Sequence, residues 1–312
     1  MNYEIRPIDF DSDAVELAAM LNQVMTNGMT VENLRVWQNS PSPLNRHVVA
    51  TDHHDSIVGW YALSRSENEP QNRAFVSIIA HPDHRRMGIG SALFEDAVVS
   101  GKSEGIGELK SRIKDNESGW LKWAKSKGFE IDRHSFRSSI KLSEFDTSTY
   151  EPHIAELRNE GIIFTTLAEL GDTEEHRRQY YEADCAAAID IPGEDHVASW
   201  DEYNSQVFEN DEYRPEGAFL ASDNLRMVGV AHIWLDTEHD RMENAFTGVH
   251  RDYRGRGIAQ SLKALTIMHA QRTGVPEILT ENDSENAPML AVNRKLGYQR
   301  WPGVYVLKAS IS

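Results

Sequence analysis

The pattern of apolar and polar positions predicts one order of elements that occurs twice along the chain. In the first half it predicts four strands, a helix and a last strand at Tyr3–Ile8, His47–Ala50, Ser56–Ser64, Ala74–Ala80, Ile89–Ser100 and Ser135–Leu142. In the second half it predicts the same series at Ile162–Leu167, Gly217–Ala221, Met227–Leu235, Ala245–Val249, Ile258–Thr273 and Gly303–Lys308. A short strand and a second helix precede the last strand in both halves. The order predicts an α+β fold of two tandem domains, each a mixed, mostly antiparallel central sheet flanked by helices.

Two sequence blocks indicate that the repeat is a duplication. Arg85–Gly90 (RRMGIG) matches Arg254–Ala259 (RGRGIA) at an offset of 169 residues, and the same offset brings Gly128-Phe129 onto Gly297-Tyr298. Separate blocks in one register are typical of internal repeats. We predict an N-terminal domain at 1–145 and a C-terminal domain at 146–312, joined by a short polar linker at 143–150.

The charge is unevenly distributed between the two predicted domains. The chain has 312 residues and a net charge of −17, of which residues 1–145 contribute −3 and residues 146–312 contribute −14. An acidic field repels phosphate backbones, so nucleic acid is excluded as a partner. The acidity favours a cationic small molecule near the C-terminal half, with solubility alone as the alternative interpretation.

Composition predicts a cytoplasmic protein without a membrane or metal partner. At 40% hydrophobic and 26% charged residues the chain is globular rather than disordered. It has no apolar run long enough for a bilayer, and its N-terminus lacks the pattern of a signal peptide. A single cysteine, Cys185, and the absence of zinc-type Cys/His spacing predict a reduced protein with no metal. The oligomeric state is left open.

Each of the matching glycine segments lies where a predicted strand ends and a predicted helix begins. Small residues at such a turn allow a ligand to approach the backbone, whose free N–H groups point outward. These N–H groups and the positive end of the helix dipole suit a pyrophosphate. The segments lack the Gly-Lys-Ser/Thr of a P-loop and the spacing of the dinucleotide fingerprint.

Both halves resemble Gcn5-related N-acetyltransferase (GNAT) domains on these residues. The family signature Arg/Gln-x-x-Gly-x-Gly/Ala, which holds the pyrophosphate of acetyl-CoA, is present in each half, and Asn282–Tyr298 resembles the family's closing helix and strand. The resemblance covers nearly the whole chain as a tandem pair. It implies an enzyme that transfers an acetyl group from acetyl-CoA to the amine of a small-molecule acceptor.

The resemblance also implies which residues hold acetyl-CoA. In the second half these are Val249, His250, Arg251, Arg254, Gly255, Arg256, Gly257, Ile258, Ala259, Gln260, Ser261 and Asn286. A second CoA site in the first half would comprise Ile79, Ala80, His81, Arg85, Arg86, Met87, Gly88, Ile89, Gly90, Ser91 and Ala92.

The resemblance places the catalytic residue on the strand that leads to the turn. Glu243 lies six residues before Val249, where the family often has a carboxylate that accepts the amine proton, and the corresponding position of the first half is Ala74. This asymmetry predicts a catalytic second half and a non-catalytic first half. The tyrosine that many members use as the acid for the thiolate is replaced by Asn293 and Ala124.

The region expected to form the wall of the acceptor pocket is strongly acidic. Between Glu169 and Glu216 the sequence has 15 Asp+Glu and three Arg, and the turn Asp190–Glu194 is a candidate to present a carboxylate inward. Such a pocket would attract a cationic amine. Two alternatives remain open at this point: a non-catalytic acyl-CoA-binding or regulatory protein, and a catalytic first half that transfers another acyl group.

Overall fold

The computed structural model describes residues 3–25, 28–67, 69–189, 198–237 and 239–311. The first part of the chain forms β1 (Glu4–Pro7), α1 (Phe10–Asn22), α2 (Val31–Gln38), β2 (Leu44–Thr51), β3 (Ile57–Arg65), β4 (Arg73–Ala80), α3 (Ile89–Ser103), β5 (Glu108–Lys114), α4 (Ser118–Ser126) and β6 (Glu130–Lys141). The rest forms α5 (Glu151–Asn159), β7 (Ile162–Thr166), α6 (Glu174–Ala188), α7 (Trp200–Tyr203), β8 (Ala218–Asp223), β9 (Arg226–Asp236), β10 (Arg241–Val249), α8 (Ile258–Thr273), β11 (Glu277–Asp283), α9 (Ala287–Leu296), β12 (Gln299–Arg300) and β13 (Val304–Ser310). The predicted α+β order is confirmed in both halves. Of the described helices, none has the length and apolar content that a membrane span requires.

The chain divides into two compact units whose limits differ from the predicted boundary after residue 145. Unit 1 consists of residues 1–133 with 304–312, and unit 2 is the continuous segment 134–303. The reason is the pairing of the two closing strands. Residues Ser135–Lys141 of β6 pair with β11, whereas β13 pairs with β5. Each repeat therefore supplies the last strand of the other repeat's sheet.

Unit 1 is a six-stranded sheet with helices on both faces. Its strand order is β1-β2-β3-β4-β5-β13, with β4 and β5 parallel and the other neighbours antiparallel. Each face of this sheet has its own hydrophobic core. Adjacent residues of β2 lie in different cores, because successive side chains of a strand point to opposite faces. Val48 packs with α3 residues such as Leu93, and Val49 packs with Leu17 of α1 and Leu34 of α2.

Unit 2 has the same architecture. Its strand order is β6-β11-β10-β9-β8-β7, with β12 beside β6, and only β10 and β11 are parallel among these pairs. Val230 of β9 packs with Tyr180 of α6, and the next residue, Ala231, packs with Leu262 of α8. Helices α6 and α8 therefore cover opposite faces, which we call the α6 face and the α8 face.

Helix α8 has the predicted limits, and glycines fix both of its ends. Gly257, with φ +84°, precedes the first residue of the helix, and Gly274, with φ +85°, follows the last one. Both values lie in the left-handed region, which costs an L side chain about 1–2 kcal/mol and glycine nothing. The local sequence was therefore sufficient to predict this helix.

Candidate active site

The two parallel strands of unit 2 separate at the centre of the sheet. Strands β10 and β11 are paired only from Met242–Ile278 to Asn244–Thr280. Beyond Asn244, β10 continues beside β9 as far as Val249, and β11 continues beside β6. The edge of β10 from residue 245 to 249 therefore faces a gap between the strands instead of a neighbouring strand.

A turn that presents backbone N–H groups follows the end of β10. Gly255 has φ +79° and Gly257 has φ +84°, and in the part of the chain that the structure describes no side chain caps the N-terminus of α8. The first N–H groups of a helix have no partner within the helix and carry the positive end of its dipole. The turn, the end of β10 and α9 line a cleft of about 760 Å³. A pyrophosphate fits the chemistry of this turn.

Nine of the twelve predicted cofactor residues of the second half line this cleft. They are Val249, Arg254, Gly255, Arg256, Gly257, Ile258, Ala259, Gln260 and Asn286. The other three, His250, Arg251 and Ser261, do not line it. His250 instead lies 2.8 Å from the guanidinium of Arg226, and Ser261 is buried, with no hydrogen-bond partner for its hydroxyl among the described residues. The Asn286 carboxamide accepts a hydrogen bond from Met289 N at 3.2 Å and so caps α9.

Sequence reasoning missed a histidine that lies against the turn. A Cβ added to Gly257 would be 2.1 Å from Nε2 of His153, and His153 lines the cleft. Its Nδ1 lies 3.2 Å from the Glu156 carboxylate, and Glu160 of the same region binds Arg256 of the turn at 2.7 Å. The contact between His153 and Glu156 lies within α5, and the Glu160–Arg256 ion pair connects the C-terminal end of α5 to the turn. Helix α5 precedes the second repeat, so no counterpart in the first half could draw attention to it.

Glu243 lies on the α6 face, at the point where the two strands separate. Met242 packs in the core beneath α8 and Asn244 donates to Thr266 of α8 at 3.2 Å, so the residue between them points to the other face. Glu243 does not line the cleft itself. A β-bulge between Asn244 and Phe246 brings Phe246 to the α6 face as well, where it packs near Tyr180.

Because of this bulge, the residue of unit 1 that is equivalent to Glu243 differs from the one predicted. Glu243 is paired with Trp234 across β9, and in unit 1 the residue at this ladder position is Phe75, which is paired with Ser64. The predicted counterpart, Ala74, is wrong because β10 has one more residue than β4 on the N-terminal side of the shared turn. Ala74 points into the core of unit 1 and is fully buried. The asymmetry between the halves nevertheless remains, since neither Ala74 nor Phe75 is a carboxylic acid.

An arginine of β6 accompanies Glu243. Arg137 Nη2 lies 4.0 Å from Glu243 Oε1, and the two side chains are 44% and 26% exposed. Glu281 of β11 is the ladder partner of Arg137 and is exposed. Neither the guanidinium of Arg137 nor the carboxylate of Glu243 donates or accepts a hydrogen bond within the described part of the chain. Both charges are therefore available to a ligand.

The α8 face behind the gap contains a buried polar network. Lys263 is 1% exposed, its Nζ donates to Thr280 Oγ1 at 3.3 Å and it lies 5.0 Å from the ring centroid of Tyr298. Burial lowers its pKa to about 7. Thr280 in turn donates to the backbone oxygen of Asn244, whose side chain accepts from Thr247 of the cleft. The network thus extends from the buried ammonium to the cleft.

The residue at the position of the family's acidic tyrosine belongs to the same region. Asn293 is 3% exposed and donates to Asn282 at 2.6 Å, and Asn282 donates to Ser138 of β6. Burial raises the pKa of Tyr298, whose hydroxyl is without a partner in the described structure. Tyr253 of the turn donates to Asp223 at 2.9 Å. Asn293 has no acidic proton and Tyr298 does not line the cleft, whereas Tyr253 lines it but directs its hydroxyl proton to Asp223.

The corresponding turn of unit 1 has a similar backbone conformation, but different side chains lie next to it. Gly88 has φ +86° and precedes α3, as Gly257 precedes α8. Arg86 takes a left-handed φ of +62° at the position of Gly255. Trp123 approaches the turn, with Cζ2 3.7 Å from a Cβ added to Gly90, and Arg85 lies over the ring of Trp120. The equivalent residues in unit 2 are the smaller Met289 and Val292, which line the cleft.

Several acids of the predicted acceptor region have local structural roles. Asp172 accepts from Arg177 and Tyr213, Asp184 accepts from the Tyr203 hydroxyl, and Glu202 completes the cap of α7. These carboxylates stabilise the loop structure around α6 and α7. The predicted turn Asp190–Glu194 lies outside the described residues.

Separated parallel strands, an anion-binding turn that opens a helix and a carboxylate beside the gap define the class of an acyl-CoA-dependent acyltransferase. The sequence profile of the acetyltransferase (GNAT) family matches residues 17–129 and again residues 185–298. The chain belongs to this family, as a tandem protein, and its activity is acetyl-CoA-dependent N-acetyl transfer. The predicted tandem organisation is confirmed.

Curated relatives and solved structures match almost the entire chain. The mycothiol acetyltransferase of Mycolicibacterium smegmatis is 24% identical, covering 91% of both chains, and that of Corynebacterium glutamicum is 22% identical over 81% of this chain and 78% of its own. A GCN5-related N-acetyltransferase from Sphaerobacter thermophilus has the same fold, with a TM-score of 0.67, 18% identity and coverage of 99% and 96%. So does a tandem GNAT protein from the clavulanic acid biosynthesis pathway, with a TM-score of 0.58, 17% identity and coverage of 100% and 99%.

Proposed function

We propose that unit 2 is the catalytic unit and that it acetylates the amine of a small, cationic acceptor, with Glu243 as the general base. The observation that carries the proposal is the course of β10. One strand brings Glu243 to the α6 face and, six residues later, leads into the anion-binding turn. Base and cofactor turn are thereby fixed on one rigid element. The relatives named mycothiol acetyltransferase support an amine acceptor of small-molecule size.

Acetyl-CoA fits the cleft of unit 2. The residues proposed to hold its pyrophosphate are the turn Arg254–Gln260 and His153, because the backbone N–H groups at the start of α8, two arginines and an imidazole line the same cleft. The edge of β10 from Thr247 to Val249 offers backbone groups to the pantetheine arm. The bound cofactor supplies the activated acetyl group.

Glu243 would take the proton of the acceptor ammonium, directly or through a water, so that a neutral amine reaches the thioester carbon. The α6 face is suited to this role because it lies on the side of β10 away from the buried network. Since Asn293 is bonded to Asn282 and lacks an acidic proton, we assign no side chain as the acid for the thiolate.

Unit 1 is proposed to be non-catalytic. It has Phe75 at the position of Glu243, and Arg112 lies 5.2 Å from the centroid of that ring. Trp120 and Trp123 occupy the positions of Met289 and Val292 beside the turn. Bulky rings at these positions disfavour a CoA site of the kind predicted at residues 79–92.

The decisive experiment is a free-thiol assay with acetyl-CoA and a panel of aminoglycosides, polyamines and amino acids. Glu243→Gln should reduce kcat about 10²–10⁴-fold with little change in acetyl-CoA affinity, since the carboxylate acts on the acceptor. Glu281→Gln is the matched control, because it removes an exposed carboxylate from the next strand of the same face. Equal kcat values for the two variants would remove Glu243 from the mechanism.

The choice of unit is tested by substitutions at the corresponding glycines of the two turns, of which the one at Gly257 also displaces His153. Gly257→Glu introduces a side chain and a negative charge at the proposed pyrophosphate position, and Gly88→Glu does the same in unit 1. Calorimetry should show loss of CoA binding with the first variant, while the second retains both binding and turnover. If Gly88→Glu abolishes turnover in a folded protein and Gly257→Glu does not, unit 1 is the catalytic unit.

A further inference from the structure

The α6 face of unit 2 holds two opposite charges that are not used by the rest of the protein. Glu243 and Arg137 approach to 4.0 Å, well beyond the separation of a hydrogen-bonded ion pair. Among the described residues no other side chain donates to the carboxylate or accepts from the guanidinium. Both are partly exposed, so a ligand can reach them without a rearrangement of the sheet.

The two charges occur together in unit 2 and are both missing from unit 1. Arg137 is the ladder partner of Glu281 on the closing strand, and the equivalent residue of unit 1 is Val306, the partner of Arg112. The position of Glu243 is taken by Phe75. A residue that only improved the solubility of the sheet surface would not need to change together with the base.

We propose that Arg137 determines acceptor specificity by binding an anionic group next to the amine that is acetylated, and that the acceptors are amino carboxylates. This inference rests on the proposed function of Glu243. The acceptor ammonium would lie against Glu243 and its carboxylate against Arg137, so that each charge of the protein receives a partner of opposite sign.

The side chain of Arg137 favours a carboxylate as the anionic group of the acceptor. The guanidinium has N–H donors in a planar fork that matches two carboxylate oxygens. The acidic surroundings favour a positively charged molecule, and an amino carboxylate with a second amine satisfies both conditions. A simple polyamine would leave Arg137 facing another cation beside the reacting nitrogen, which is unfavourable.

The test compares acceptors that differ only in the carboxylate. Lysine and ornithine are paired with cadaverine and putrescine, which lack it, and kcat and KM are measured for the wild-type enzyme and for Arg137→Gln. Arg294→Gln is the matched control, since Arg294 is an exposed arginine on α9 of the same unit. Arg137→Lys tests whether charge alone is sufficient.

We expect the wild-type enzyme to prefer the amino carboxylates. Arg137→Gln should raise their KM on the order of 10–100-fold, the value of a lost hydrogen bond to a charged group, and leave their kcat nearly unchanged. The KM of the diamines should fall, because the substitution removes a positive charge beside the bound cation. Arg137→Lys should recover part of the loss. An equal effect of Arg137→Gln on both members of each pair, or a wild-type preference for the diamines, would overturn the inference and leave Glu243 as the base.

Calorimetric titration of the amino acids into the enzyme with CoA present gives a second readout that does not need turnover. Binding by the wild type that is weakened in Arg137→Gln supports the inference. If neither the common amino acids nor ornithine binds, the inference is wrong. Absence of thiol release with every amine of the panel, in protein that still binds CoA, would instead contradict the proposed function itself.

Discussion

Because the amino group of Lys263 is buried, we expect the stability of the protein to increase with pH in the alkaline range. Its side chain is 1% exposed, it donates to the Thr280 hydroxyl, and in the described structure no carboxylate lies within ion-pair distance of it. Burial lowers its pKa from 10.5 to about 7. The unfolded chain therefore binds more protons than the folded one between these values, and stability rises with pH across this window.

The size of the effect follows from the same two values. Each pKa unit corresponds to about 1.4 kcal/mol, so at pH 7 the buried lysine destabilises the fold on the order of 4 kcal/mol. Lys263→Met keeps the length of the side chain and removes the ammonium. The loss of the Thr280 hydrogen bond costs about 1 kcal/mol. The variant should then be more stable than the wild type by about 3 kcal/mol at pH 7.

Urea unfolding at pH 7 and at pH 10.5 measures this difference. The advantage of Lys263→Met should be large at pH 7 and largely lost at pH 10.5, where the lysine of the wild type is neutral in the folded state. Lys102→Met is the control, because Lys102 is exposed in the last turn of α3 and its replacement should have no pH-dependent effect. The same stability difference at both pH values, or a variant that is destabilised at pH 7, would refute the reasoning.

Three further predictions concern binding, acid stability and ionic strength. His153→Ala should weaken CoA binding about 10-fold in calorimetry and leave acetyl-pantetheine, which has no pyrophosphate, unaffected. Burial lowers the pKa of His232 to about 4, so stability should fall as the pH decreases from 6.5 to 4, and His232→Phe should reduce this loss in thermal unfolding. If the acidity of unit 2 steers a cationic acceptor, kcat/KM should decrease with added salt, whereas a constant value would limit that acidity to solubility.

The parts of the fold that depend on local geometry could be predicted from the sequence. Gly257 and Gly88 occupy positions with a positive φ between a strand and a helix. The six-residue segments that contain them are sufficient to predict this turn. Helix α8 was therefore placed correctly at both ends. The α+β order and the duplication followed from periodicity and from a common register, which need no knowledge of contacts.

The rest depends on contacts between distant parts of the chain. The bulge in β10 is one extra residue between Asn244 and Phe246, where no glycine or proline marks it in the sequence, so alignment through the turn assigned Ala74 instead of Phe75 to the position of Glu243. His153 touches Gly257 from a helix about one hundred residues earlier. For Arg137 a signal existed, since the offset that aligns the turns also aligns it with Val306. The order of pairing, which gives that comparison its meaning, was visible only in the structure.

The position of the closing strands has a consequence for how this protein can be divided. A cut after residue 145 separates the two repeats as the sequence displays them, yet the fragment 146–312 would carry Glu243 without Arg137 and would leave Asn282 without Ser138. The fragment 134–303 keeps all four in one uninterrupted segment. The repeat boundary in the sequence is therefore offset by one strand from the limits of the segment that contains the proposed acceptor site, and recombination at that boundary would separate Arg137 from Glu243.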